Sequence, residues 1–286
     1  MIIDAHNHPD WYSYELPRFL ANMAEFGIDK CWLLSWESPE DEWDPAYNSC
    51  YPPLDGIAGP IPFSRCIAYA KEVPEKFILG YAPDPRKPGA IDALKKSMAE
   101  YNVRICGELK QRMPCDIPEA IELFDFCGKA GLPVIVHMEY AINPAGTEGD
   151  YPWWYGGSMD SLENALIRCP DTIFIGHGPG FWAHISGDDQ YKSSTYPEGP
   201  VLPGGKLISM LRQHDNLVCD LSATSGINAI KRDSSFGRDF VLEFQNRILY
   251  ARDCFNNNHQ LFLRSMNLPE ETLQKILSEN AMHLVK

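Results

Sequence analysis

Four short apolar runs in this chain each lead into or end in ionisable residues, and that repetition restricts its fold more than any other feature. Ile2-Ile3 leads into Asp4-Ala5-His6-Asn7-His8, Val134-Ile135-Val136 ends in His137, Ile173-Phe174-Ile175-Gly176 ends in His177, and Ile248-Leu249-Tyr250-Ala251-Arg252 ends in Asp253. Apolar runs of this length, closed by glycine, proline or polar residues, read as buried strands. Strands of that kind alternating with longer helical stretches imply a parallel sheet covered by helices. Side chains alternate faces along a strand, so His6 and His8 share a side, with Asp4 behind them.

The same reading gives eight strand and helix units. Strands are expected over residues 1–8, 30–36, 76–81, 103–109 and 217–221, with three more ending at His137, His177 and Asp253. Helices are expected over 13–26, stopped by Gly27, over 63–72, around Ile91, Leu94 and Met98, from Pro118 to Gly131, and over 269–285. Such barrels typically need about 250 residues, so the chain is expected to form one α/β domain over residues 1–286, a (β/α)8 TIM barrel. Barrel enzymes keep their sites at the C-terminal ends of the strands, where the four histidines and Asp253 would gather.

Two long segments interrupt the rhythm, residues 140–158 after strand 5 and 179–203 after strand 6. Long loops in compact domains are often functional. These read either as insertions over the mouth of the barrel, offering Trp153, Trp154, Trp182 and His184 to a flat substrate, or as subunit contacts in a homo-oligomer. A third irregular stretch, 37–62, follows strand 2.

A formal charge of −14 and the absence of a basic stripe disfavour nucleic acid and anionic membranes as partners. No apolar run approaches a membrane span, and the first strand begins at Met1, so neither an anchor nor a signal peptide is expected. The nine scattered cysteines form no C-x-x-C pair and fit reduced thiols. The expected compartment is the cytoplasm, and the expected partner is a small-molecule substrate.

Histidine nitrogen and carboxylate oxygen are the donors that hold zinc and similar divalent ions, and catalytic sites leave one position open for water. His6, His8, His137, His177 and Asp253 therefore form a candidate metal site. Glu108 and Lys110 share a face on strand 4, and Lys110 and Arg112 are the basic residues near a strand end suited to hold an acidic group. His214, His259 and His283 fall in helical or connecting segments and receive no role.

In this order the motifs resemble the metal-dependent hydrolases of the amidohydrolase superfamily, in the branch that includes aminocarboxymuconate semialdehyde decarboxylase. The resemblance rests on Asp4-Ala5-His6-Asn7-His8, Gly131-Leu132-Pro133-Val134-Ile135-Val136-His137, Gly176-His177-Gly178, Asp253 and Ile276-Leu277-Ser278-Glu279-Asn280-Ala281. It implies a divalent ion, Zn2+ or alternatively Mn2+, held by His6, His8, His137 and Asp253. His177 is then either a further ligand or a group that handles protons. Two departures stand out. Ala251-Arg252-Asp253 replaces the usual Gly-Ser-Asp ending, and Arg252 should point away from the axis if Asp253 points in. Gly107-Glu108-Leu109-Lys110 occupies the place where binuclear relatives put a bridging glutamate or carboxylated lysine, and TatD-like deoxyribonucleases carry a similar Gly-Glu pair. One ion is the expectation, with Glu108 hydrogen-bonded to Lys110 or a histidine; two ions are the alternative.

Such an ion lowers the pKa of its bound water to about 7. Asp253 is then expected to move that water's proton, His177 to polarise the substrate or share the transfer, and Asp4 to fix the tautomers of the ligating histidines. The resulting expectation is a hydrolase of a small C–N or C–O bond in a cyclic amide, lactone or ester. A metal-dependent, non-hydrolytic decarboxylase of an unsaturated or aromatic acid is the alternative, and a catalytically silent metal-binding protein is the rival from another class.

Overall fold

A computed structural model describes residues 1–50, 61–142 and 151–285. Its eight strands are parallel and follow one another around a single sheet in sequence order: β1 (Ile3–Asn7), β2 (Lys30–Leu34), β3 (Phe77–Tyr81), β4 (Ile105–Leu109), β5 (Val134–His137), β6 (Phe174–His177), β7 (Leu217–Asp220) and β8 (Ile248–Leu249). The amide of Ala5 donates to the carbonyl of Tyr250 at 3.0 Å, which brings the last strand back against the first. The fold is the expected (β/α)8 barrel.

Helices alternate with these strands: α1 (Leu16–Glu25), α2 (Phe63–Glu72), α3 (Ala90–Tyr101), α4 (Pro118–Ala130), α5 (Met159–Arg168), the short α6 (Pro179–Trp182), α7 (Lys206–Gln213), α8 (Ala223–Lys231), α9 (Ser234–Glu243) and α10 (Asn258–Ser265). The expected closing helix is continuous but not uniform, since α11 (Glu270–Gln274) passes through a π turn, Lys275–Glu279, into α12 (Asn280–Leu284). α4 shows the local logic. Pro118 fits the first turn, where its missing N–H costs nothing, and Gly131 ends the helix at φ 69°, a left-handed conformation that glycine adopts freely. α1 begins later than residue 13, with Pro17 in its first turn. Ahead of it Trp11–Ser13 form a 3-10 turn with Tyr12 and Ser13 at positive φ, and Asp10 before that turn is bonded to Arg65 and Tyr69 of α2. Trp36 lies beyond β2 and pairs instead in an antiparallel bridge with Ile61.

Strand alternation divides the core into two layers. Ile3, Ala5, Trp32, Leu34, Ile105, Ile135, Ile175, Val218, Leu249 and Ala251 fill the barrel interior. Cys31, Leu33, Val134, Val136, Phe174 and Tyr250 face the surrounding helices. By that alternation His137 follows Ile135 inward, and His177 follows Ile175. Strict alternation would put His6 on the outer face with Asp4, and Glu108 on the outer face with Cys106. Both are re-aimed by a bulge. Asp4 pairs with Cys31 but Asn7 with Leu33, and Cys106 pairs with Val134 but Leu109 with Val136, so β1 and β4 each carry one extra residue there. No helix among the described residues is long and apolar enough to cross a membrane, and all nine cysteines are free thiols.

Candidate metal centre

Six ionisable side chains converge at the C-terminal ends of the strands. His6 and His8 come from β1 and the residues after it, Glu108 from β4, His137 from β5, His177 from β6 and Asp253 from just beyond β8. All but Asp253 are buried, and Asp253 is half-buried. His6, His8 and Asp253 form one group whose donor atoms all lie within 4.8 Å of each other, and His6, Glu108 and His177 form a second.

Hydrogen bonding fixes which nitrogen each ring presents. Nδ1 of His8 lies 2.9 Å from the carbonyl of Leu34, which can only accept. Nδ1 of His6 lies 2.9 Å from Oδ2 of Asp220, and Nδ1 of His177 lies 3.0 Å from Oδ1 of the same carboxylate. All three Nδ1 atoms therefore donate, leaving each Nε2 with a free lone pair directed at the centre. Among the described residues, Nε2 of His6 and Oδ1 of Asp253 are buried with no hydrogen-bond partner at all.

The spacings around His6, His8, His177 and Asp253 fit shared coordination better than hydrogen bonding. Two donors held at about 2.1 Å in a tetrahedral arrangement stand about 3.4 Å apart. Nε2 of His8 is 3.2 Å from Oε2 of Glu108 and 3.7 Å from Oδ1 of Asp253. Nε2 of His6 is 3.6 Å from Oε2 of Glu108, and Nε2 of His177 is 3.4 Å from Oε1. His137 stands in neither group: its Nδ1 is within hydrogen-bond distance of Oε1 at 2.7 Å and its Nε2 of Oε2 of Glu139 at 3.1 Å. The two oxygens of Glu108 thus face different histidine pairs. An orphaned imidazole nitrogen, an orphaned carboxylate oxygen and this donor set fit a divalent cation.

The local field has the matching sign. Burial alone would raise the Glu108 carboxyl, but the hydrogen bond and charge of His137, with His6 and His8, hold it well below the usual range. Asp220 is likewise held low, with His177 and His6 outweighing burial. Burial lowers His6, yet Asp220 and Glu108 overcome it and raise its proton affinity. An imidazole placed to attract a proton so strongly attracts a metal cation by the same field.

Asp220 is the residue that sequence reasoning missed. It closes Leu217-Val218-Cys219, the same pattern that singled out His137 and His177, and it holds two of the histidine rings. Asp4, expected in that role, instead faces outward, where its carboxylate binds Nε of Arg252 at 2.8 Å. Arg252 does point away from the axis, reaching Asn22 on α1 at 2.9 Å. The β1 bulge is the physical reason for the exchange, because it separates the face of Asp4 from that of His6.

Above the donors opens a cleft of about 1000 Å³. Of the residues expected to meet substrate, Lys110 lines it. Its Nζ sits 3.9 Å from the centre of the Trp36 ring and 3.7 Å from that of Tyr47, with Oε2 of Glu139 at 3.8 Å. Burial lowers the Lys110 ammonium, while His137 and Lys110 outweigh burial to hold Glu139 at about 2. Arg112, Trp153, Trp154, Trp182 and His184 do not line this cleft as described. Arg112 lies over Trp153 and donates to the carbonyl of Pro152 at 2.9 Å. Trp154 is half-buried. Trp182 is buried, its indole donating at 3.0 Å to the main chain of Asp220. Nε2 of His184 shares a hydrogen bond with the Tyr140 hydroxyl at 2.7 Å, and its ring lies against that of Tyr191. The wall comes instead from Trp11, Trp36 and Tyr47, with Tyr196 from the segment after strand 6. Residues 143–150 of the segment after strand 5 lie outside the described residues.

The amidohydrolase family model matches residues 62–286. The chain belongs to the amidohydrolase family. No curated protein matches it. Among solved structures this amidohydrolase is similar to a TIM-barrel protein of Bordetella bronchiseptica, with 15% identity, 99% of this chain and 97% of that chain covered and a TM-score of 0.65. It is also similar to a dihydroxybenzoic acid decarboxylase from a Polaromonas species, solved with manganese and the inhibitor 2-nitroresorcinol, at 14% identity, 99% and 96% coverage and a TM-score of 0.61. A Pseudomonas putida protein assigned as a 2-pyrone-4,6-dicarboxylic acid hydrolase aligns at 13% identity, with 99% and 97% coverage and a TM-score of 0.63. At these identities the likeness shows the barrel fold; the chemistry rests on this chain's own residues.

Proposed function

We propose that this amidohydrolase is a metal-dependent hydrolase of small cyclic amides, lactones or esters, and that Glu108 would help hold two divalent ions. The supporting observation is the division of the Glu108 carboxylate, whose Oε2 faces His6 and His8 while Oε1 faces His137 and His177. His6, His8 and Asp253 would complete one set of ligands, and His137 and His177 the other. This departs from the one-ion expectation, which left Glu108 as a hydrogen-bond partner only. Bound divalent ions supply an acidified water and a polarised carbonyl.

The chain's residues do the rest. Asp253 would hold a cation through its orphaned Oδ1 and use its other carboxylate oxygen to accept a proton from the attacking water and return it to the leaving group. Asp220 holds His6 and His177 in the tautomers that leave Nε2 open. Lys110, facing the cleft inside its aromatic collar, orients an oxygen-bearing group of the substrate. That same ammonium favours the second reading, a decarboxylase whose substrate acid it would hold.

The test combines elemental analysis with product analysis. About two equivalents of metal are expected in the wild type, and one or fewer in Glu108→Gln. In a pH-stat, a lactone and cyclic amide panel should release acid without evolving carbon dioxide. Carbon dioxide release from an aromatic acid, with no ring opening, would establish the decarboxylase instead. Full turnover after metal removal contradicts both readings.

A further inference from the structure

The cleft continues past the donors as a groove between α8 and α10. Thr224, Ile227 and Lys231 line it from one helix, at steps of three and four residues, and Leu261 and Phe262 line it from the other, each three or four residues from Ser265, so each set marks one helix face. Leu261 is 61% exposed, and Ile227 and Phe262 are half-buried, so an apolar strip runs along the groove between the polar Thr224, Lys231 and Ser265, although the centre beside it is densely charged. Nε2 of His259 donates to the carbonyl of Ala223 at 2.9 Å and ties the two helices together at the inner end. Ser225 lines the cleft there at 3% exposure, with an Oγ that makes no hydrogen bond among the described residues. A buried hydroxyl without a partner is costly and is relieved when a ligand bonds to it. From Ala223 to Lys231 the helix extends about 12 Å. The cleft volume of about 1000 Å³ is more than a single small ring needs.

We propose that this groove is a substrate subsite for an elongated molecule. Its small ester, lactone or amide head would sit at the donor cluster, a polar group would bond Ser225, and an apolar arm would lie on Ile227, Leu261 and Phe262. This rests on the hydrolase reading for the position of the head. A protein segment is a poorer occupant, because the groove is continuous with the reacting pocket and a permanent guest would obstruct entry.

Calorimetry on the zinc-loaded protein tests the proposal, with butyrate, hexanoate and octanoate as probes, and N-octanoylglycine against undecanoate, which has the same chain length. A fully buried methylene strengthens binding about fourfold, so a groove open on one side predicts about twofold per methylene. Ile227→Glu and the exposed Leu261→Glu should each flatten the series and leave butyrate unchanged. Ser225→Ala should weaken N-octanoylglycine severalfold relative to undecanoate. Equal affinity for butyrate and octanoate, or an unchanged slope in both glutamate variants, overturns the subsite. Length-dependent binding that persists after metal removal keeps the subsite and contradicts the hydrolase reading. Metal-dependent binding without length dependence does the reverse.

Discussion

Across the cleft, the donor cluster and the aromatic wall are held in place by different kinds of structure. His137 and His177 pair with each other in the parallel ladder, and Glu108 and His6 sit at bulges with paired residues on either side. Trp11, Trp36 and Tyr47 lie on connections outside the parallel ladder, packed on one another and tied by side-chain bonds: the Trp11 indole donates to the main-chain carbonyl of Asp253 at 3.1 Å, that of Trp36 to Ser38 at 2.7 Å, and the Tyr47 hydroxyl to Glu139 at 2.9 Å. Strand ends can therefore exchange donor chemistry without loss of shape, whereas the wall can change shape without loss of donors. This is how a barrel varies its substrates while keeping one reactive centre.

The strongest way to break that contrast is Asp253→Asn. Turnover should fall on the order of a hundred- to ten-thousandfold in steady-state assays, with the unfolding midpoint nearly unchanged. A matching loss of stability would show that Asp253 belongs to the scaffold. Asp220→Asn should act one step further out. It keeps the shape but removes the charge that orients two rings, so metal affinity measured by competition with a chelator should drop about 10- to 100-fold. On the wall, Tyr47→Phe removes one hydrogen bond to Glu139 and should raise KM severalfold with kcat and metal content intact. Loss of metal in that variant would join wall and cluster into one unit.

The same contrast explains what the amino-acid sequence revealed. Apolar runs closed by an ionisable residue located His137, His177 and Asp253, because burial of a parallel strand leaves a mark in composition that survives without tertiary information. The His6 and His8 pair was legible too, although the alternation argument alone placed Asp4 on the wrong face. A bulge changes the parity of a strand and depends on its neighbour's register, so no local pattern announces it. Asp220 carries the same signal as the histidines, but its role depends on imidazoles from two other strands, which no local pattern announces. The wall was not legible. Trp153, Trp154 and Trp182 look in sequence no different from Trp11 and Trp36, and which of them reaches the cleft is settled by long-range contacts such as Trp182 to Asp220.

His184 gives the smallest effect and the sharpest check on the segment after strand 6. Burial lowers its imidazole to about 4 from an ordinary 6.5, with Asp160 opposing the shift and Lys206 adding to it. Because the folded state resists protonation, the unfolded chain binds more protons between those two values. The stability contributed by neutral His184, bonded to the Tyr140 hydroxyl, is therefore complete above about 6.5 and is lost as pH falls toward about 4. Thermal unfolding followed across that window should show a shallower decline in His184→Asn, and an NMR titration of the ring should place its midpoint near the lower end. Since His184 does not line the cleft, kcat/KM of this variant should keep the wild-type pH profile. An altered profile would make the segment a working part of the wall, while an unaltered one leaves it as packing that steadies the helix behind Asp220.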